Sequence, residues 1–348
     1  MNNTSKFYDG GQMLSYRKHV NFLLGHRSTG KTFWAKKRAV QKFLTKGKGS
    51  VWVRRYKTEL KGDKLKKFFQ DLISANCERA KQGKKLWFPL DTEFDVKGYV
   101  GYINKKPAIA FIPLSVATTF KSVPFEDCDD IYFDEFLVDK QHIRYLQNEV
   151  EMFFEFFLTV MRERFEDVFV YFIGNAISVV NPYFLFFGIK MTNKEFTFDK
   201  SGEVLVQNFK SEQIIQEFKN SWFGRLMKGT NYFEYAVENE FLRDNDEFIE
   251  PKSKNAIFRC AIYYKKTFYG FWVDFKTGLM YASEKYDPSS LCLYTLTRED
   301  HSVNLLLIKN KKNTFIEEVL FEFQTGALRF ESQKVKQNVF ELLSFFFR

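Results

Sequence analysis

Only 7 prolines and 18 glycines punctuate the 348 residues, and no internal repeat or low-complexity tract is present. That scarcity excludes a collagen-like or disordered chain. Cysteine and histidine are just as sparse, at four each. Cys77, Cys128, Cys260 and Cys292 lie tens of residues apart, and His19, His26, His142 and His301 form no ligand-like spacing with them. A disulfide-stapled miniprotein and a zinc site are both excluded, and reduced thiols in a cytosolic setting are expected. Residues 1–11 are polar where a signal peptide needs an apolar run, so no export is expected. One stretch, 168–189, lacks any charge and is long enough for a membrane helix. Gly174-Asn175 and Asn181-Pro182 interrupt it, so a buried strand followed by a loop is expected, with no membrane association.

What is present is aromatic and basic. The chain holds 43 Phe, 17 Tyr and 5 Trp, and its 53 Lys and Arg against 43 Asp and Glu leave a net charge of +10. The length suffices for about two domains with a substantial core. A positive excess concentrates polyanions around the molecule, which makes nucleic acid the leading partner class.

The first half alternates short apolar runs with amphipathic stretches, the pattern of an α/β sheet with crossover helices. Strands are expected at 20–24, 50–54, 109–113, 130–133 and 168–173, each a run of about five or six suited to a parallel strand buried on both faces. Helices are expected at 31–44 and 149–161, and residues 81–101 read as a basic excursion with a small hairpin. The texture then turns polar and mixed in charge. The expected organisation is a P-loop ATPase domain over 1–197, a linker with a helix (212–218) over 198–227, and a smaller α+β domain over 228–348, with strands at 258–264, 268–275 and 278–282 and a final helix at 335–347.

The strongest motif is Gly25-His26-Arg27-Ser28-Thr29-Gly30-Lys31-Thr32, a complete G-x-x-x-x-G-K-[ST] loop between an apolar strand and a helical stretch. In that setting backbone N–H groups of Gly25 through Thr32 cradle phosphates at a helix N-terminus. Lys31 is expected to reach the β- and γ-phosphates and Thr32 to ligate Mg²⁺, which makes ATP and Mg²⁺ the expected cofactors. Asp130-Ile131-Tyr132-Phe133-Asp134-Glu135 supplies the acidic strand end: Asp134 for the metal, Glu135 to orient and deprotonate the attacking water. The 109–113 strand is a candidate for insertion between the P-loop strand and the Asp134 strand. Asn175 follows the next strand, where it can sense the γ-phosphate or position water. Arg162 and Arg164 follow the apolar 150–161 stretch and are candidates for the arginine that neutralises transition-state charge, from the same or a neighbouring subunit. Lys121 is a further candidate of that kind.

With these residues in place, the chain resembles the DNA-packaging ATPases of phi29-like small tailed phages, a branch of the terminase-like ring motors. The resemblance rests on Val53-Arg54-Arg55-Tyr56-Lys57, Phe133-Asp134-Glu135-Phe136, the run from Asn175 to Phe187, Phe223-Gly224-Arg225-Leu226, Trp272-Val273-Asp274 and Gly278-Leu279-Met280-Tyr281. It implies an ASCE/RecA-like P-loop NTPase with a parallel sheet and helices on both faces, followed by an RNase H-like domain that has lost its catalytic carboxylates. It also implies that Arg162 acts in trans, that Lys121 lies at the subunit interface, and that Arg54, Arg55 and Lys57 form a basic cluster near the nucleotide. The implied partners are double-stranded DNA, a homomeric ring of five subunits, the capsid portal and a packaging RNA, with the protein in the host cytoplasm and docked transiently on the procapsid. The loop departs from the family at His26, Ser28 and Thr29.

Between Arg27 and Lys67 there are 15 Lys or Arg against only Glu59 and Asp63. Such a cluster grips phosphates without reading sequence. In the second domain Asp274 lies in a convincing strand, and Asp244, Asp246, Glu284 and Asp287 are the possible companions of a two-metal nuclease. The residues leave open a packaging motor, another nucleic-acid translocase or helicase, a packaging ATPase with an active nuclease, and a nucleotide-gated DNA-binding protein.

Overall fold

Apolar runs of five or six residues cross the interior of the first unit side by side. The computed structural model describes residues 6–61, 63–120, 127–138, 145–146, 148–164, 166–175, 180–189, 194–228, 248–308 and 313–346. The chain divides into two units: Met1–Leu137 with Glu151–Ala176 and Met191–Glu240, and Val138–Val150 with Ile177–Lys190 and Phe241–Arg348.

In the first unit nine strands form one sheet: β1 (Val20–Gly25), β2 (Gly49–Arg54), β3 (Phe94–Lys97), β4 (Val100–Ile103), β5 (Lys106–Pro113), β6 (Cys128–Asp134), β7 (Phe169–Ile173), β8 (Phe196–Phe198) and β9 (Val204–Phe209). Their order is β3-β4-β5-β2-β6-β7-β1-β9-β8. The six from β5 to β9 are parallel, while β4 and β8 run antiparallel to their neighbours and β3 pairs antiparallel to β4, so the sheet is mixed rather than wholly parallel. Alternation along the strands divides the core. Leu23, Trp52, Tyr132, Tyr171 and Leu205 share one face with Trp34, Ala35 and Val40 of helix α2 (Lys31–Lys46). On the other face Phe153, from α5 (Glu149–Met161), stacks on Phe133 and packs at a tilt against Phe172. Helix α1 (Gly11–Ser15) precedes β1, and α3 (Asp63–Lys66) and α4 (Gln70–Lys81) follow β2.

Three expectations are corrected here. The strand inserted between β1 and the Asp134 strand is β7, not 109–113. Ile173 pairs with both Leu23 and Asp134, whereas β5 lies beyond β2. Five equivalent apolar runs carry no information about lateral order. Second, 198–227 is not simply a linker, because β9 pairs with β1 over six residues. Gln207 and Asn208 hide this strand in the sequence, but Gln207 is buried with its amide satisfied: its carbonyl accepts from the Tyr8 hydroxyl (2.9 Å) and its NH₂ donates to Glu195 (2.7 Å). The expected helix is present as α7 (Glu212–Asn220), followed by α8 (Trp222–Met227). Third, Asn181-Pro182 opens a helix rather than continuing a loop. In α6 (Pro182–Phe187) the side-chain Oδ1 of Asn181 accepts from the Phe184 N–H (3.0 Å), and Pro182 occupies the first turn, where it lacks no needed donor.

The second unit is a six-stranded sheet of order β14-β13-β10-β11-β12-β15. Strands β10 (Ile257–Tyr264), β11 (Thr267–Asp274) and β12 (Leu279–Ser283) form an antiparallel meander. Strands β13 (Leu293–Thr295), β14 (Leu306–Leu307) and β15 (Leu328–Phe330) add in parallel. Cys260, Ile262, Tyr269 and Phe271 pack against Ile316 and Val319 of α9 (Thr314–Gln324) and Val335, Val339 and Leu342 of α10 (Gln333–Leu343). Among the described residues no helix is long and apolar enough to cross a membrane.

Candidate active site

Strand β1 delivers the chain into the loop at Gly25, whose φ of +154° and close approach to β9 admit no side chain. A Cβ there would stand 2.4 Å from the Phe209 carbonyl oxygen. The loop turns through Ser28 at φ +64° and enters α2 from Gly30 at φ +83°. Thr29 is buried and its hydroxyl donates to the His26 carbonyl (2.8 Å); His26 is buried and Arg27 exposed.

Lys31 is buried and folded back on this loop. Its ammonium donates to the carbonyls of Gly25 (3.0 Å) and His26 (2.5 Å) and to the Thr29 hydroxyl (3.2 Å). Burial lowers its pKa to about 7, with the Asp134 charge opposing that fall. The next residue makes the bond that closes the site. The Thr32 hydroxyl donates to Asp134 Oδ1 at 2.9 Å, across 102 positions of sequence.

Asp134 ends β6. Burial pushes its carboxyl above the usual carboxylate range, and the Arg54 guanidinium pulls the other way. Arg54, at the end of β2, donates to Asp134 Oδ2 (3.1 Å), Glu135 Oε2 (2.6 Å) and Glu59 Oε1 (3.2 Å). Despite burial, its pKa is raised by these three acids, Asp134 foremost. Glu135 itself takes a left-handed backbone, φ +59°, and its side chain remains more than half exposed.

The structure therefore brings Lys31, Thr32, Asp134, Glu135 and Arg54 together at the carboxyl ends of β1, β2 and β6. Asn175 stands two residues beyond Ile173, the β7 residue paired with both Leu23 and Asp134, and so at the strand end between loop and acid. Arg162 is exposed just past α5, at φ +47°. Arg164 is tied elsewhere: it donates to the Cys128 carbonyl (2.9 Å), Asp129 (3.2 Å) and the Val160 carbonyl (2.7 Å), at the opposite end of β6 from Asp134. Lys57 is exposed in the turn after β2, and Lys121 lies outside the described residues.

Two residues deserved more weight from the sequence. Arg54 closes a strand that is β6's neighbour, which is where a site-facing cation belongs. Glu59 follows it by five positions and supplies a third acid.

Part of the basic cluster is spent inside the fold. Arg38 (3.1 Å) and Lys42 (2.8 Å) hold the fully buried Asp130, which also accepts from the Tyr132 hydroxyl (3.0 Å). Lys36 pairs with Asp71 (3.0 Å) and Lys48 with Asp129 (3.8 Å). In the second unit Asp274 accepts from the Lys276 N–H (2.9 Å) and so shapes the turn between β11 and β12. Glu284 pairs with Lys334 (2.7 Å), Asp287 accepts from Ser289, and Asp244 and Asp246 lie outside the described residues. Among the described residues no group of three or more His, Cys, Asp or Glu is placed to hold a metal ion.

Comparison with known proteins agrees with this geometry. The chain is 38% identical over 340 residues to the DNA packaging protein of Bacillus phage phi29, covering 97% of each. It is 36% identical over 332 residues to that of Bacillus phage B103, covering 95% of this chain and 98% of that one. Its fold matches a chain of the bacteriophage Phi-29 viral genome packaging motor assembly with a TM-score of 0.56 at 36% identity, covering 97% and 98% of the two chains. It also matches the N-terminal domain of the DNA packaging ATPase from bacteriophage phi29 with a TM-score of 0.52 at 36% identity, covering 60% of this chain and 98% of that one. The profile of the Podovirus DNA encapsidation proteins (Gp16) matches residues 1–346, and the chain belongs to that family.

Proposed function

We propose that this chain is the ATP-hydrolysing subunit of a motor that drives double-stranded viral DNA through the portal of a preformed capsid. One observation carries the reading: the 2.9 Å bond from Thr32 to Asp134, which joins a complete phosphate-binding loop to an acidic strand end with Glu135 next in line. Family membership supplies the packaging role.

The donor set suits Mg²⁺. A hydroxyl and a carboxylate oxygen, one on each side of the cleft, are the hard ligands that ion prefers. Thr32 and Asp134 would hold it, and when bound it neutralises charge on the β- and γ-phosphates. The chain's own residues do the rest. Lys31 exchanges its loop carbonyls for phosphate oxygens, and the loop N–H groups at the start of α2 take the remaining charge. Arg54 holds both carboxylates close through its bonds to Asp134 and Glu135. Glu135, more than half exposed, orients the attacking water and takes its proton, while Asn175 borders the γ-phosphate position.

Arg162, exposed beyond α5, is suited to complete the site of a neighbouring copy, as a ring of five subunits requires, with Lys121 and Lys57 as further interface cations. The bonds of Arg164 to the start of β6 favour a structural role for it. We read the first unit as an ASCE/RecA-like core, supported by the strand interposed between β1 and β6. We read the second as an RNase H-like adaptor whose Asp274 serves a turn, with portal, DNA or packaging RNA as its partners. The protein would work in the host cytoplasm, docked on the procapsid.

The test is protection of DNA from added nuclease by purified empty capsids, this protein and ATP. Wild type is expected to protect, and Glu135→Gln to fail. Equal protection by both refutes the assignment.

A further inference from the structure

Next to Arg54, on the turn out of β2, stands a second arginine. Arg55 is almost wholly buried, with 2% of its surface exposed. Its guanidinium donates one N–H group to the carbonyl of Glu135 (3.2 Å) and another to the carbonyl of Phe136, and it lies over the Phe133 ring (5.5 Å). Its own carbonyl accepts from the Ser115 N–H (2.9 Å), which fixes the turn from which the side chain departs.

The two carbonyls it grips follow directly on an unusual backbone. Glu135 has φ +59°, a conformation that costs a residue with a Cβ on the order of 1 kcal/mol or more and persists only where surroundings enforce it. Phe136, fully buried, is held by the bond from its N–H to the Ile173 carbonyl (3.3 Å) and by its ring against Gly174, where a Cβ would stand 3.0 Å away. Arg55 and the Phe136 N–H thus both fasten the peptide unit on the carbonyl side of this kink.

We propose that Arg55 is a positioning residue for hydrolysis: by clamping the carbonyls of residues 135 and 136 it holds Glu135 in the left-handed turn that presents its carboxylate to the attacking water. The proposal rests on the assignment of Glu135 as the water-activating group. A planar guanidinium can span two carbonyls with separate N–H groups in fixed directions, whereas a lysine ammonium at the same site cannot reproduce that fork. Arg54 and Arg55 thus divide the task, one binding carboxylates and the other backbone.

The experiment uses the full chain and compares wild type, Arg55→Lys, Glu135→Gln and the double variant. Readouts are single-turnover ATP hydrolysis, affinity for a non-hydrolysable ATP analogue, and amide hydrogen exchange. Arg55→Lys is expected to slow hydrolysis on the order of 10- to 100-fold, the usual consequence of misplacing a reacting group by about an ångström. Analogue affinity should change less than about threefold, and exchange should rise in peptides covering 133–137 but not in β1 or α2. In the double variant the rate should equal that of Glu135→Gln alone, because a positioning residue has nothing left to position. An additive loss, or unchanged hydrolysis in a folded Arg55→Lys, overturns the proposal. If Arg55→Lys does not fold, Arg55→Gln, neutral and able to reach one carbonyl, is read by the same criteria. Failure of the underlying assignment looks different: Glu135→Gln would then hydrolyse ATP like wild type.

Discussion

Lys31 offers a quantitative test of how the phosphate loop works. Its ammonium is enclosed by carbonyls and a hydroxyl of its own loop, and burial lowers its pKa to about 7. A triphosphate placed beside it supplies negative charge and so raises that pKa. The two states then bind protons differently, and nucleotide affinity must depend on pH. Below about pH 7 Lys31 is already charged in the free protein and affinity is at its plateau. Above about pH 7 the nucleotide has to bring a proton with it, so affinity falls by up to tenfold per pH unit, each unit being about 1.4 kcal/mol. Between about pH 7 and pH 9 the expected loss is roughly 50-fold, or about 2.3 kcal/mol.

Isothermal titration of a non-hydrolysable analogue, repeated in buffers of different ionisation enthalpy, measures both quantities. At about pH 8, with a free-state pKa of about 7, binding should take up about 0.9 proton per site. Lys31→Arg, whose guanidinium stays charged throughout, should show no such dependence even if it binds more weakly. The same depression has the opposite sense for folding. Between about pH 7 and the ordinary lysine value the unfolded chain holds the extra proton, so this group makes stability rise with pH there. Affinity that is flat from about pH 6.5 to 9, without proton uptake, would refute the reasoning.

Other perturbations have definite outcomes. Gly25→Ala forces a methyl to within 2.4 Å of the Phe209 carbonyl oxygen, so a loss of about 2 kcal/mol or more in urea denaturation and a loss of analogue binding are expected. Asp130→Asn leaves Arg38 and Lys42 beside a buried neutral group and should destabilise the protein by about 3–5 kcal/mol, with analogue affinity of the remaining folded protein unchanged. Arg162→Ala should lower ATP turnover on the order of 1,000-fold, and mixing it with Lys31→Ala subunits should restore part of the activity if the arginine serves a neighbour's site. DNA affinity should fall with salt, but Lys42→Ala and Lys48→Ala should leave the slope of log affinity against log salt unchanged, because both amines face Asp129 and not the solvent alone.

How far the fold could be read in advance depended on whether a residue's neighbours lay along the chain or across it. Strand β1, the loop and α2 are contiguous, so their apolar runs, glycines and lysine declare themselves; α5 was legible in the same way as one amphipathic stretch. Strand β9 was not, since Gln207 and Asn208 look solvent-facing until Tyr8 and Glu195 are seen to satisfy Gln207. The interposed strand could be recognised as a strand from its sequence, but not as the neighbour of both β1 and β6, because register and order are properties of pairing. The cationic run from Arg27 to Lys67 conceals ion pairs for a related reason. Apart from Glu59, the partners of its paired cations, Asp71, Asp129, Asp130 and Asp134, lie outside the run, so local counting does not see those ion pairs.

That pairing bears on how the site can drive a machine. Lys31 is bound to loop carbonyls, Thr32 to Asp134, and Arg54 to Asp134, Glu135 and Glu59, so the charged groups reach partners within the chain. Triphosphate binding is then an exchange of partners rather than the filling of unmet valences, and its net free energy is the small difference between two well-satisfied arrangements. A site built this way would not hold its product tightly, because losing the γ-phosphate would let Lys31 return to Gly25 and His26. The residues that do not exchange are those fastening backbone: the Arg55 clamp behind Glu135, and Gly25 pressed on β9. Movement transmitted from the nucleotide would accordingly pass through side chains at the ends of β2 and β6 while the loop and the catalytic turn stay fixed. Variants that weaken Arg54's grip, such as Arg54→Lys, should therefore alter the rate of ADP release more than the rate of bond cleavage, and stopped-flow release of a fluorescent ADP separates the two.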